Sequence, residues 1–398
     1  MPVMDAWTRR EQTQDQRIEE VIRDVPTEPE QLDQIAQIRG SYDPYGDAND
    51  IINSYMKGDL TVDEAVVKLA EPIEHCFTTA DDGRAFYDEE MVARNQRQHY
   101  EPDKAAEMWG VEQDFPEPTE EDRQKDSAEG LLWRLWFAVC HVSRKTPWDN
   151  DAQQWKLVHL VRIIKERPDP PMPENATIAL RNNWIWSSGK LWSRLSMLGP
   201  SARETWNDSP GGGWGMSTPE IHGWTNTNAF FARITLAGLA NYWNYGIWAL
   251  RDTLEQEPRG NMKGSQAQHL DATLPAAVVW IRVLGEEAYT KHISQNERDY
   301  DVRYDVDSPG PKLDWQGMEV WTMARWVFWK EKFWFNAERK KLSDEVREMA
   351  KGAAEHMEQI ENRAAASHPL RRPPVTLSRL TMLLDTVTYE QSGLCYSR

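Results

Sequence analysis

Thr61-Val-Asp-Glu-Ala-Val-Val-Lys-Leu-Ala-Glu-Pro-Ile-Glu-His-Cys-Phe77 is the stretch on which the fold class turns. Thr61 can accept a hydrogen bond from the Glu64 amide while the Glu64 carboxylate reaches back to the Thr61 amide, a reciprocal capping box that opens a helix. Behind it Ala65, Val66, Leu69, Ile73 and Phe77 recur at helical spacing and mark one buried face. The same grammar repeats outward along the chain. Ser343 stands where it can cap a long amphipathic helix over Ser343 to Ala366, rich in Ala, Glu and Met. Gly and Pro cluster between such segments and punctuate them. No run of alternating β-branched residues is paired with hairpin turns, and no fixed-period repeat stands out. The expectation is an all-α fold, a multi-helix orthogonal or stacked assembly with little or no sheet.

At 398 residues a chain of this size buries about 75% of its unfolded surface, so a large core is available. Composition divides it. Only Trp7 and Trp109 fall before residue 131, whereas the other eighteen of the 20 tryptophans lie between 131 and 335. The division predicts a polar N-terminal segment over 1–48 and an N-terminal helical region over 49–130. The latter ends in an acidic, proline-bearing linker from Glu112 to Asp126. A Trp-rich helical core then covers 131–366, and a C-terminal tail covers 367–398. A second acidic loop is expected over Glu297 to Pro311. The tail breaks at His368-Pro369 and Pro373-Pro374 and then has the pattern of one short helix over Ser378 to Leu384.

The 64 acidic residues exceed the 46 basic ones, for a net charge of −18. Residues 101–130 hold 11 Asp/Glu against 3 Lys/Arg, contributing 3 − 11 = −8. Such an excess keeps a protein soluble and disfavours nonspecific contact with nucleic acid or anionic lipid. No stretch approaches the ~20 apolar residues of a membrane helix, and Met1 to Glu20 carries no apolar signal region. Cys76, Cys140 and Cys395 are odd in number and far apart, which fits free thiols in a reducing, cytoplasmic compartment.

Several chemical signatures fail. Ser187-Ser-Gly-Lys190 lacks the leading glycine and the trailing hydroxyl of a phosphate loop. Gly211-Gly-Gly-Trp-Gly215 follows no strand and reads as a flexible loop. No Gly-x-Ser-x-Gly elbow occurs. The nine histidines and three cysteines show no metal spacing. No metal or cofactor is expected.

What survives is polar pattern on apolar background. From Trp224 to Glu257 most positions are apolar or aromatic, the mark of a helix buried on several sides. Read as one helix, this segment brings Asn226, Arg233, Asn244 and Arg251 within about 20° of one line, with Asn228 and Trp248 on the same segment. Buried amides and guanidinium groups need partners. They either pin helix packing through core carboxylates or line a pocket for a substrate carbonyl or carboxylate. Arg203-Glu-Thr-Trp-Asn207 follows Gly199-Pro200, a natural helix start. Its Glu204 stands one turn from Asp208, and the two either face a cation such as an arginine side chain or form a solvated helix face. The candidate substrate-binding set is therefore Glu204, Asn207, Asn226, Asn228, Arg233, Asn244, Trp248 and Arg251. Between Trp321 and Lys341, Arg325, Lys330, Lys332, Arg339, Lys340 and Lys341 interleave with Trp326, Phe328, Trp329, Phe333 and Trp334. That mixture suits either contact with tRNA, where cations meet phosphates and rings stack on bases, or an amphipathic core helix with a charged outer face.

Taken together, Gly199-Pro200 with Arg203-Glu-x-Trp-Asn207, Trp224-x-Asn-x-Asn-Ala-Phe230 with Arg233, Trp248-Ala-Leu-Arg251 and Trp329-Lys-Glu-x-Phe333 resemble a large fungal family, over roughly residues 50–366. That family, long described as a domain of unknown function, includes the OpdG-type protein of an oxopyrrolidine biosynthetic cluster and the arginine-containing cyclodipeptide synthases. The resemblance implies an all-α fold. In its synthase form it implies arginyl-tRNA and a second aminoacyl-tRNA as substrates, joined into a diketopiperazine in fungal secondary metabolism. It supplies no catalytic residue. An ester already activated needs no ATP or metal, whereas the acidic balance of the chain opposes tRNA binding. The other class open to this sequence is a non-enzymatic helical small-molecule binder or scaffold protein of a fungal biosynthetic cluster.

Overall fold

Helices carry the whole architecture. A computed structural model describes residues 6–41, 44–79, 83–112, 114, 117–121, 125–172, 189–255, 265–293 and 321–367. Within them run α1 (Ala6–Asp24), α2 (Glu28–Arg39), α3 (Asp47–Lys57), α4 (Val62–Thr79), α5 (Gly83–Arg97), α6 (Pro102–Trp109), α7 (Ala128–Lys145), α8 (Asp151–Glu166), α9 (Leu198–Asn207), α10 (Thr218–Leu236), α11 (Trp243–Leu250), α12 (Gln266–Glu287), α13 (Met323–Ala337) and α14 (Asp344–Ser367). Two π-helical turns, Arg251–Glu255 and Ala288–Ile293, extend α11 and α12. The one strand-like feature among the described residues is an isolated bridge between Pro210 and Trp214. The acidic loop expected over 297–311, the tail with its short helix at 378–384, and Cys395 lie outside the described residues.

The capping box formed by Thr61 and Glu64 is present. The Thr61 amide donates to Glu64 Oε2 at 2.9 Å and the Glu64 amide to Thr61 Oγ1 at 3.3 Å. Behind it Ala65, Val66, Leu69, Ile73 and Phe77 are buried along α4. Ser343 caps α14 through the Val346 amide at 3.3 Å. A second full capping box, Ser217 with Glu220, opens α10. Glu220 is buried there and also takes the Arg39 guanidinium at 2.9 Å and the Gly215 amide at 2.8 Å. A Cβ at Gly215 would lie 2.6 Å from the Glu220 carboxylate and run into Arg39, so only glycine fits this crossing.

Two helices organise the packing. α7 is surrounded by α2, α3, α4, α8, α9 and α10, and its Leu132, Leu135, Trp136, Val139 and Val142 are buried among them. α12 packs on α10, α11 and α14 and fills a second apolar cluster with Leu270, Leu274, Val278 and Ile281. α10 packs on both α7 and α12 and joins the two halves, which explains why fifteen of its residues, from Pro219 to Thr235, are buried. No helix among the described residues is long and apolar enough to cross a membrane. Cys140 is a buried free thiol, and the Cys76 thiol reaches the Asp126 carbonyl at 3.7 Å.

The segment read as a single helix over Trp224–Glu257 is interrupted. α10 ends at Leu236, Gly238 turns through a positive φ of 67°, and the Leu239 amide folds back to the Ile234 carbonyl at 3.1 Å. Thr235 Oγ1 accepts from the Tyr242 amide and Asn241 Oδ1 from the Trp243 amide, which starts α11 in a new direction. Hydroxyl and amide side chains that hydrogen-bond locally compete with helix continuation. The stripe built on one continuous axis is therefore split between two helices.

Candidate functional site

The α10 part of the stripe is sealed. Asn226 accepts from the Trp148 amide at 2.8 Å and donates to the Arg144 carbonyl at 2.8 Å. Asn228 donates to the Trp224 carbonyl at 2.9 Å and accepts from the Trp280 indole at 2.7 Å. Arg233 donates to the Ala229 and Trp148 carbonyls at 3.2 and 3.0 Å and pairs with Asp151. Asn226 and Arg233 complete backbone groups outside α10 and Asn228 holds the Trp280 indole, so their hydrogen-bonding capacity is spent on packing. The α11 part faces outward: Asn244 is exposed, and Arg251, at the start of the π-helical turn, bonds the neighbouring Asp252 carboxylate at 2.9 Å.

The basic-aromatic helix is likewise turned inward. Arg325 has no solvent exposure and grips Glu255 with two bonds of 2.6 and 2.9 Å, while the Trp329 indole donates to the same carboxylate at 2.6 Å. Arg325 is thereby removed from the nucleic-acid-contacting set, because a phosphate cannot reach it. Lys330 bonds both Glu361 oxygens at 2.8 and 2.6 Å, and the Trp326 indole joins them at 2.9 Å. Lys332 lies over the Phe328 ring at 5.2 Å and Arg339 donates to Gln266 at 2.5 Å, whereas Lys340 and Lys341 are exposed.

What the fold does bring together is a corner between α9, α10 and α11. Trp206 is its hub, with ring centroids of Tyr245 at 4.5 Å edge-on, Trp224 at 4.8 Å and Trp248 at 6.3 Å; Tyr245 and Trp248 are 4.9 Å apart. Trp206, Tyr245 and Trp248 are half-buried, so ring surface remains at the protein's edge. On the same helix as the hub, exposed Arg203, Glu204 and Asn207 form a chain in which Arg203 donates to Asn207 Oδ1 at 2.8 Å and Asn207 to Glu204 at 3.1 Å. Burial raises the Tyr245 phenol to about 12, with nearby Arg203 opposing the shift, so the hydroxyl stays protonated.

Behind this corner lies a buried polar layer. Arg144 on α7 is fully buried, reaches Asp208 at 3.3 Å and the Thr205 carbonyl at 3.5 Å, and stacks over the Trp214 ring at 4.1 Å. The glycine-rich loop read as flexible is therefore an ordered turn, closed by the Gly213 amide on the Asn207 carbonyl at 2.9 Å, that lays Trp214 on Arg144. Of the two carboxylates read as one turn apart, Asp208, just past the end of α9, faces an arginine and Glu204 faces outward. Cys140, one turn before Arg144, has its thiol pushed by burial up to about 11; a thiol so protonated is a poor nucleophile at neutral pH.

Half-exposed π-faces suit a flat cation such as a guanidinium, which is attracted by the ring quadrupole. Sequence reading singled out Glu204, Asn207, Asn244 and Trp248 but not Arg144, Trp206 or Tyr245 as site residues. Trp206 stood inside the Arg203–Asn207 motif, and its place among eighteen tryptophans concealed it. A cavity of about 450 Å³ opens elsewhere, between α1 and α2, beside Arg17, Glu20, Gln34 and Tyr45. None of those side chains belongs to the corner.

The model of a family described as protein of unknown function, DUF3632, matches residues 136–333. The match runs from Trp136 in α7 to Phe333 in α13 and takes in the aromatic corner and the Glu255–Arg325 pair. No curated protein and no solved structure matches the chain.

Proposed function

We propose that this chain is an aminoacyl-tRNA-dependent cyclodipeptide synthase, an aminoacyltransferase that joins the arginyl group of arginyl-tRNA to a second aminoacyl group as a diketopiperazine in fungal secondary metabolism. The observation that carries the reading is the convergence of motifs distant in sequence. Trp206 from the Arg203-Glu-x-Trp-Asn207 motif, Trp224 from the next and Trp248 from the third meet at the α9–α10–α11 corner. In this reading the guanidinium of the arginyl group lies against Trp206, Tyr245 and Trp248 with Glu204 as its carboxylate partner, and Asn207 and Asn244 meet the polar atoms of the substrate.

The chemistry asks little of a cofactor. The free amine of one aminoacyl ester attacks the carbonyl carbon of the other. A proton leaves the nitrogen, a C–N bond forms, and the C–O bond to the tRNA 3′ oxygen breaks. A second attack closes the ring and frees the second tRNA. Each step is helped by a base near the amine and by donors at the developing oxyanion. Half-buried Lys332 and Arg339 and exposed Lys340 and Lys341 remain as the cations for the tRNA backbone. With a net charge of −18, the contact is local and weakens steeply with salt.

Expression in a host that makes no such metabolite, followed by mass spectrometry, should reveal a new arginine-containing cyclic dipeptide. RNase should abolish its formation in a reconstituted reaction. Product made from free amino acids and ATP without tRNA would overturn the reading. The second reading, a non-enzymatic small-molecule binder or scaffold, is favoured by the inward pairing of Arg233 and Arg325. It predicts that purified protein binds arginine derivatives at the corner while no host makes product.

A further inference from the structure

The α5–α6 hairpin stands apart from the two packed halves. Among the described residues these helices pack principally on each other. Arg97 holds the pair together: it grips Glu90 at 2.6 Å and donates to the carbonyls of Trp109, Gly110 and Val111 at 3.0, 2.9 and 3.3 Å. The hairpin's outer surface is apolar and acidic at once. Val92, Met108 and Val111 are 54%, 42% and 73% exposed. Beside them Glu101, Asp103 and Asp114 are exposed. A surface that leaves these apolar side chains in water beside an excess of carboxylates over the exposed Lys104 has the character of an interaction site.

We propose that this hairpin is the docking surface for the chain's own C-terminal segment, residues 368–384. Three observations on the chain select that occupant. The segment His368-Pro-Leu-Arg-Arg-Pro-Pro-Val-Thr-Leu-Ser-Arg-Leu-Thr-Met-Leu-Leu384 has three arginines and no acidic residue, against five carboxylates and one lysine over residues 101–114, 1 − 5 = −4. It offers Val375, Leu377, Leu380, Met382, Leu383 and Leu384 as apolar partners. It follows directly on α14, which ends at Ser367, and its 17 residues from 368 to 384 span up to about 55–60 Å when extended. A tethered segment acts at an effective concentration of roughly millimolar, which a free basic protein must exceed to compete. Nucleic acid and anionic lipid are repelled by the same carboxylates that attract the arginines.

Photocrosslinking in the full-length chain tests this directly. With Val111→p-benzoylphenylalanine, irradiation should give a monomer-sized product whose digest joins the 105–112 region to 368–384. The triple change Arg371→Glu, Arg372→Glu and Arg379→Glu should lower that yield at least fivefold, and so should raising the salt from 50 to 500 mM. Crosslinks to other elements only, a dimer-sized product joining two copies, or a yield indifferent to charge reversal would each overturn the proposal. The mapping on the unreversed chain does not depend on the triple variant folding.

Discussion

α13 and the α9–α11 corner are both dense in tryptophan and charge, yet they use them in opposite ways. Along α13 the indole N–H groups are tied to carboxylates: Trp329 to Glu255, Trp326 to Glu361 and Trp334 to Glu358. Arg325 and Lys330 meet two of those same carboxylates. Glu255 and Glu361 are each held by a cation and an indole together, and the apolar ring bodies fill the second core cluster. At the corner, Trp206, Tyr245 and Trp248 pack on one another, while Arg203, Glu204 and Asn207 bond only along their own helix at the surface. The lesson is that a basic or aromatic stretch announces a ligand site only where its polar groups are not already answered from within the fold.

The sharpest way to break this contrast is Glu255→Ala. It strands the Arg325 guanidinium with no solvent access, and loss of about 3–5 kcal/mol is expected in urea unfolding. A loss below about 1 kcal/mol would mean that α13 is not held by that pair. Arg233→Ala comes next. It removes a cation that closes two carbonyls and Asp151, and should cost about 1.5–3 kcal/mol. The stability of the Arg233→Ala chain should fall with no selective loss of ligand binding per folded molecule.

The corner should behave in the reverse way. Glu204→Gln and Asn244→Ala ought to leave stability within about 0.5 kcal/mol. They should lower product formation, or affinity for an arginine derivative, at least tenfold, equivalent to about 1.4 kcal/mol. Substitutions that unfold the protein in step with lost activity would place the corner in the same class as α13.

The smallest effect concerns His141 on α7, whose Nε2 lies 2.6 Å from Asp33, itself bonded by Lys145 at 2.9 Å. Burial lowers the His141 pKa from its ordinary 6.5, with the Asp33 hydrogen bond opposing. In the unfolded chain the imidazole takes up a proton more readily, so its contribution is fully present above pH 6.5 and declines as pH falls toward the folded value. His141→Gln should therefore flatten the stability profile between pH 6.5 and lower pH, by at most about 1.4 kcal/mol per pH unit. An unchanged profile would show that this imidazole is not neutral in the native protein.

Much of the helical order was legible because helix starts are local. Thr61 with Glu64 and the Ser343 cap each act across three residues, and the buried face of α4 follows from spacing alone. The candidate site was legible only in pieces. Glu204, Asn207, Asn244 and Trp248 lie at the corner's helices and face outward or half-outward. Asn226, Asn228, Arg233 and Arg325 were chosen for the same polarity and turned out to complete neighbours inside the core. The stripe failed at Gly238, where Thr235 and Asn241 bond the backbone of the turn and redirect the axis.

Sequence alone determined that this chain is helical, that its tryptophans gather in the region after α6, and where α4 and α14 begin, because capping and periodicity are relations between residues a turn apart. Tertiary structure alone decided which charges are answered. Glu255 and Arg325 are 70 residues apart, as Asn228 and Trp280 are 52 apart, and no local rule selects such partners. It also decided that Trp206, rather than any other indole, became the hub of the exposed corner. Local hydrogen bonds fix how each helix starts, whereas the choice between a sealed pair and an open platform is made by which helices meet across the core and how much water they exclude.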